Sequence, residues 1–403
     1  MHYDYNTAKL ISSEKNCGFW QCNDLCFFNK MECLKYATTS PNKTVTFHYF
    51  DEIFSSYNWK TEPIETLNEL YKERAIQLRE NNEHLVLMVS GGADSTNMLQ
   101  SFLKNNIKID EIVSVFPLKA IDKLNHTFDS TDKNPNNWMF EYTHAALPLL
   151  QQIATYHPQI KITVLDYIDE TLYIIGNNNF YKLARPNGII NFASGFIHRA
   201  FEYVKSLKKN STILYAIDKP KISYDGKQKK WYCRFSDFHA NYSEFSYETF
   251  GGDQPKIEYF YYTPDLPKIV IKQCALIKKF LESASLVENP TSQLYKELIT
   301  ERTFKGQSTT SLDLYAHHNI IKKILYNDWN TEVYQANKGS SVFYNENFCS
   351  WFYRSNSVTQ RIIDYHEGQL IEQLSGIDPY FLDYMKDGRP ARLKFYSTKF
   401  YEL

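Results

Sequence analysis

The chain has 403 residues, enough for two or three domains with a large core. Apolar residues make up 43% and aromatics 16%, with 31 Tyr and 27 Phe, which excludes an intrinsically disordered chain. The formal net charge is -1, from 45 basic and 46 acidic side chains, so no overall charge drives the protein toward nucleic acid or an anionic membrane. Residues 1–20 hold no apolar stretch behind a basic start, and no apolar run reaches the length of a membrane span, so neither a secretory signal nor a membrane association is expected. Cysteines number seven, an odd count. With no sign of export they read as reduced thiols, and the expected location is cytoplasmic.

Residues 1–80 read as a small N-terminal α+β module. Cys17, Cys22, Cys26 and Cys33 fall in one short stretch, and four thiolates can hold zinc or an iron–sulfur cluster. Their spacing is uneven and contains no Cys-x-x-Cys pair. The preferred reading is therefore structural, with metal left open: a hairpin of Gly18–Gln21 and Leu25–Phe28 around Asn23-Asp24, then a helix over Lys30–Tyr36. The apolar spacing of Leu67, Leu70, Tyr71, Ala75, Ile76 and Leu78 predicts an amphipathic helix over Ile64–Asn81.

The stretch that organises the chain follows. Leu85-Val86-Leu87-Met88-Val89 is an unbroken apolar run, expected as a strand buried on both faces. Ser90, Gly91 and Gly92 make a turn poor in side chains, and Asp94-Ser95 opens a helix through Leu103. A helix N-terminus carries unpaired N–H groups and a partial positive charge, which attract phosphate. Two glycines let the backbone approach the anion. Ser90 and Ser95 add hydroxyls, and Asp94 is a candidate ligand for Mg²⁺. The run lacks the length and the Gly-Lys-Ser/Thr ending of a Walker loop.

A second strand is expected over Asp110–Phe116, ending at Pro117, then a polar loop over 118–138. The helix expected over Glu141–Ala154 places Glu141 and His144 on one face, either for acid–base or metal chemistry or as a surface hydrogen bond. A third strand is expected over Ile160–Ile168. After the break at Arg185-Pro186-Asn187-Gly188, a helix covers Ser194–Lys208. The apolar run Thr212–Ile217 reads as a fourth buried strand whose carboxyl end delivers Asp218 and Lys219. Ligands of open parallel sheets gather at such ends. Asp218 is a candidate for metal or amine positioning. Lys219 is a candidate for neutralising charge that develops on phosphates.

Lys221, Lys227, Lys229, Lys230 and Arg234 alternate with Tyr224, Trp231 and Tyr232, a pattern open to nucleic acid. The preferred reading is a hairpin turning at Asp225-Gly226. Farther on, Glu258–Thr263 is an aromatic, strand-like run, and Ile269–Glu282 a helix with Lys272 and Gln273 near its start. Leu314–Ile324 is a second helix bearing His317 and His318, which point to different faces and so suit a metal poorly. Lys338 is a weak candidate phosphate contact, and the alternation over Arg392–Tyr401 suggests an edge strand.

Ser90-Gly91-Gly92-Ala93-Asp94-Ser95, placed after a strand, resembles the Ser-Gly-Gly-x-Asp-Ser signature of the PP-loop ATP pyrophosphatases. That superfamily includes asparagine synthetase C-terminal domains, GMP synthetase, argininosuccinate synthetase and the lysidine and thiouridine tRNA-modifying enzymes. The resemblance implies an α/β fold: a Rossmann-like (HUP/PP-loop) parallel sheet flanked by helices over 81–250, with a largely helical lobe over 251–403 shaping the acceptor site. It implies ATP and Mg²⁺ as cofactors. Ser90, Gly91, Gly92 and Ser95 would hold the pyrophosphate, and Asp94 the metal. Val115 and Phe116 would lie near the adenine, with ordinary core as the competing reading.

The implied reaction is attack of a carboxylate or amide oxygen on the α-phosphorus, then displacement of AMP by ammonia or an amine. Residue 2 is His, and 80 residues are too few for a glutaminase domain, so the likeness is to an asparagine synthetase without glutamine hydrolysis. The alternatives are a tRNA- or nucleobase-modifying enzyme on the same fold, with RNA as partner, and a PP-loop fold kept as a non-catalytic structural protein.

Overall fold

The computed structural model describes residues 2–40, 44–116, 118–119, 142–166, 201–208, 210–217, 219–237, 255–303, 310–326, 329 and 396–403. Glu141, residues 185–188, Asp218, Lys338 and most of the 118–138 loop lie outside them.

Helix α1 (Tyr5–Lys15) starts where the Asp4 carboxylate accepts the Thr7 N–H at 3.0 Å, and it ends at Asn16 in a left-handed conformation. Strands β1 (Phe19–Cys22) and β2 (Leu25–Phe27) form the expected hairpin, with Asn23 supplying the positive φ of its turn. Helix α2 (Lys30–Thr39) is capped by Asn29, and β3 (Val45–His48) completes a three-stranded antiparallel sheet in the order β2-β1-β3. Helix α3 spans Asp51–Ser55. Helix α4 (Leu67–Asn81) begins at Leu67 rather than Ile64, because Thr66 and Glu69 close a capping box there.

The parallel sheet is built from β4 (His84–Met88), β5 (Glu111–Phe116), β6 (Lys161–Asp166), β7 (Ser211–Tyr215) and, after the hairpin β8 (Lys221–Asp225) and β9 (Lys230–Arg234), β10 (Lys256–Tyr259). Between these strands lie α5 (Ala93–Leu103), α6 (Leu147–Tyr156) and α7 (Phe201–Ser206). All neighbouring pairs are parallel, and the order is β10-β7-β4-β5-β6. The chain starts in the middle at β4, winds outward through β5 and β6, then returns to the other side of β4 as β7. This is a Rossmann-like order, and its switch point lies between β4 and β7. Helix α6 is preceded by a π-helical turn over Tyr142–Ala146. Pro148 supplies the reason: its ring collides with the carbonyl four residues back in a regular α-helix, and a wider turn relieves the clash.

The remaining elements are α8 (Lys268–Ser283), α9 (Gln293–Leu298), β11 (Ile299–Thr303), β12 (Thr310–Leu314), α10 (Asn319–Leu325) and β13 (Tyr401–Glu402). They do not stand apart from the sheets. β10 is an edge strand of the parallel sheet, and β11, β12 and β13 join β8 and β9 in a second, antiparallel sheet ordered β11-β12-β8-β9-β13. Helix α4 packs against α5 and α8, and α8 against α10. Among the described residues no helix is long and apolar enough to cross a membrane.

Candidate functional site

The site begins where β4 ends. Leu85, Val86, Leu87, Met88 and Val89 are all buried, as an apolar run in the middle of a parallel sheet requires. The Val89 N–H donates to the Val113 carbonyl at 2.8 Å, and the Ser114 hydroxyl donates to the Val89 carbonyl, so β5 fixes the point at which the chain turns. Gly91 has φ of +81°, and a Cβ there would sit 2.6 Å from the Ala146 nitrogen and 2.8 Å from its Cα. Both the conformation and the close approach of the π-turn demand glycine. Gly92 precedes α5 and gives it no side-chain cap. The N–H groups of Ala93, Asp94 and Ser95 are therefore left without an intrahelical acceptor at the positive end of the helix.

Hydroxyls brace the turn. Ser95 Oγ accepts the Ser90 N–H at 3.2 Å and donates to the Gly92 carbonyl at 3.2 Å. Ser90 Oγ accepts the Gly92 N–H at 3.3 Å, and Thr96 Oγ1 donates to the Gly91 carbonyl at 3.2 Å. The serines thus hold the shape of the turn as well as lining it.

Asp94 is the most heavily engaged residue of the turn. Lys219, four residues past the end of β7, places its Nζ 2.6 and 2.5 Å from the two Asp94 carboxylate oxygens. The lysine side chain is 1% exposed and the aspartate 23%. The Tyr326 hydroxyl, just after α10, donates to Asp94 Oδ1. The Tyr261 hydroxyl donates to the Asp94 backbone carbonyl at 2.9 Å and accepts from Asn97 Nδ2 at 2.9 Å. Behind them, the Tyr71 hydroxyl donates to the Leu325 carbonyl at 3.1 Å and accepts from Gln273 Nε2 at 3.0 Å. Burial, reinforced by Asp94 and the neighbouring phenols, pushes the Tyr326 hydroxyl well above the usual tyrosine range. Burial does the same to Tyr261, with Tyr71 and then Asp94 adding to it. Both remain neutral donors.

The turn after β4 and the lysine after β7 flank the switch point of the sheet, where ligands of this topology bind. Main-chain N–H groups, a helix dipole and an ammonium group converge there, a donor set suited to an anion. It suits a divalent cation less well. Asp94 offers one carboxylate, and both its oxygens already hold an ammonium. A divalent ion added about 4 Å from that ammonium meets repulsion on the order of 8 kcal/mol at an effective dielectric of about 20. Among the described residues, no group of three or more His, Cys, Asp and Glu side chains is arranged to hold a metal.

Other candidates take ordinary places. Val115 and Phe116 are buried in the core, and the Phe116 ring lies 4.8 Å from that of Tyr142. Asp218 and Glu141 fall outside the described residues, and His144 is exposed and bonded to its neighbour Thr143. The four N-terminal cysteines are buried but split: Cys22 and Cys33 pack with Trp20 in the main core, Cys17 and Cys26 with Phe19 and Phe28 in a second cluster. In the β1–β2 register Cys26 faces Gln21, so Cys22 and Cys26 point to opposite sides of the sheet. Burial lifts the Cys26 thiol to about 12. In the basic hairpin, Lys230 pairs with Glu402 at 3.0 Å and Arg234 with Asp313 at 3.2 Å. His318 caps α10 through the Ile320 N–H, and Lys272 is bonded to the Pro63 carbonyl and to Glu62. Tyr326, Tyr261 and Asn97 are the residues that the sequence did not single out. Tyr261 sits inside a visible aromatic run, but nothing local marks which ring of that run reaches Asp94. Comparison with known proteins finds no matching family model, no matching curated protein and no matching solved structure.

Proposed function

We propose that the Ser90–Ser95 turn seats the phosphates of ATP, and that the protein is a PP-loop-type ligase that forms AMP and pyrophosphate. One observation carries the reading: a glycine turn opening onto a helix N-terminus faces a buried lysine across the switch point of a parallel sheet. In the proposed reaction a carboxylate or amide oxygen of a small-molecule or nucleobase acceptor attacks the α-phosphorus. The bond from that phosphorus to the β-phosphate bridging oxygen breaks, and pyrophosphate leaves with the electron pair. Main-chain N–H groups at Ala93–Ser95 and the Lys219 ammonium offset its charge. Ammonia or an amine then adds to the activated carbon, loses a proton and expels AMP. The acyl phosphate is already activated, so no protein nucleophile is needed.

The test is twofold: the shift in melting temperature produced by ATP, and pyrophosphate release in the presence of mixed carboxylate and amine pools. The expected result is an ATP-dependent rise in melting temperature, and loss of about 100-fold in pyrophosphate release for Lys219→Met. If ATP leaves the melting temperature unchanged and no pyrophosphate appears with any pool, the reading is wrong.

A further inference from the structure

We propose that Asp94 is the resting counter-ion of Lys219 rather than a ligand of a divalent metal, and that a bound pyrophosphate group takes the ammonium over from it. The inference rests on the phosphate-binding reading of the turn and gives Asp94 a different task within it.

Each Asp94 acceptor is accounted for. Oδ1 receives Lys219 and Tyr326, Oδ2 receives Lys219, and the backbone carbonyl receives Tyr261. The two carboxylate partners come from separate stretches of chain and orient it, while Tyr261 anchors the backbone of the same residue. The Lys219 ammonium also lies 5.7 Å from the centre of the Tyr326 ring, enclosed between carboxylate and aromatic face. A bare carboxylate at the mouth of an anion seat would repel phosphate, and a bare ammonium this deeply buried would be costly. Pairing the two keeps the seat neutral. When a phosphate reaches the N–H groups of Ala93–Ser95, it offers the ammonium a second anion beside a helix N-terminus. Asp94 then keeps the neutral Tyr326 hydroxyl as its donor. Asp94 is in these terms a positioning residue, acting through Lys219.

The counter-ion and metal-ligand roles predict opposite signs. Binding of inorganic pyrophosphate is measured by calorimetry on the full chain, in excess Mg²⁺ and again in excess EDTA. The expected wild-type affinities agree within about threefold between the two conditions. Asp94→Asn, which frees the lysine and removes a repelling charge, should bind about tenfold more tightly in EDTA, and Lys219→Met about tenfold more weakly. If wild-type binding disappears in EDTA and Asp94→Asn abolishes it in Mg²⁺, Asp94 is a metal ligand. The proposal then fails while the phosphate seat stands. If wild type and Asp94→Asn bind no pyrophosphate under either condition, the phosphate reading itself fails and takes the proposal with it. Should Asp94→Asn not fold, Tyr326→Phe decides. Losing one donor, the carboxylate grips Lys219 harder and pyrophosphate binding weakens equally with and without Mg²⁺. A gain confined to Mg²⁺ overturns the proposal.

Discussion

Position 91 meets two demands that only a residue without a Cβ satisfies. Its φ of +81° lies where side chains are strained, and the π-turn backbone stands within 2.6 Å of the place a Cβ would take. Gly91→Ala should therefore cost about 1–3 kcal/mol in chemical denaturation and move the turn away from Ala146, weakening ATP binding at the same time. Ser95→Ala is a milder change. It removes one acceptor from the Ser90 N–H and one donor to the Gly92 carbonyl, and should cost about 1 kcal/mol with a smaller effect on ATP. At this scale the turn was legible because Ser90 to Ser95 are contiguous, and residue types chosen for backbone shape show in any sequence. The partners of Asp94 were not. Tyr261 and Tyr326 lie 167 and 232 residues away. No local pattern distinguishes a tyrosine that donates to a distant carboxylate from one that fills a core.

The central parallel strands were readable as elements because apolar runs without alternation have few other uses: those expected at 85–89, 110–116 and 212–217 correspond to β4, β5 and β7, while the run expected from 160 overlaps β6, a partly exposed edge strand. Helix α1 and strand β3 went unread. The helix buries little beyond Ala8 and Ser12, so its periodicity is faint, and β3 has only four residues. What sets these elements in register is again a set of single contacts. Asp110, just before β5, accepts Arg79 Nη1 at 2.6 Å from the last turn of α4 and the Leu85 N–H of β4 at 2.9 Å, with Lys108 2.7 Å from its other oxygen. Burial pushes this carboxyl up, but Lys108, Arg79 and the Leu85 N–H outweigh it and hold the group down at about 2. A pKa lowered in the folded state stabilises the fold above the ordinary aspartate range. That stability is lost as pH falls from about 4 toward 2. Asp110→Asn should therefore cost about 2 kcal/mol at pH 7. The deficit relative to wild type should shrink as urea unfolding is repeated at lower pH through that window. A deficit that is constant with pH would mean that Asp110 acts by shape and hydrogen bonding alone.

At the scale of the whole molecule, side-chain contacts cross the boundaries expected near residues 80 and 250. Arg74 of α4 donates to Glu258 of β10 at 2.9 Å, and Asn16 reaches the same glutamate at 3.1 Å. A fully buried joint lies at Asp237, beyond β9. Its Oδ2 takes Lys30 Nζ from the start of α2 at 2.7 Å and Trp20 Nε1 from β1 at 3.1 Å, and its backbone N–H donates to the Tyr396 carbonyl. Both charged side chains are essentially unexposed, and Asp237 Oδ1 has no hydrogen-bond partner among the described residues. A charge pair this far from water binds the N-terminal sheet to the second sheet and to the C-terminal strand segment. Such a joint is invisible in a sequence, because its members are scattered and nothing local links Trp20 and Lys30 to Asp237.

It is also where stability should respond most sharply to a single change. Burial raises the Asp237 carboxyl above its ordinary value, with Lys30 the main group opposing the rise. Lys30→Met removes that opposition and strands a carboxylate in the core, at a cost of about 3–5 kcal/mol near neutral pH. Because the folded-state pKa then lies further above the unfolded one, the folded protein holds the extra proton through acidic pH, and stability falls as pH rises through that interval. Guanidinium unfolding should accordingly show Lys30→Met closer to wild type at pH 5 than at pH 8. Asp237→Asn placed in the same chain should recover part of the loss at pH 8 and flatten the pH dependence. If Lys30→Met costs the same at both pH values and Asp237→Asn recovers nothing, the lysine contributes only the packing of its stem, and the joint is not electrostatic.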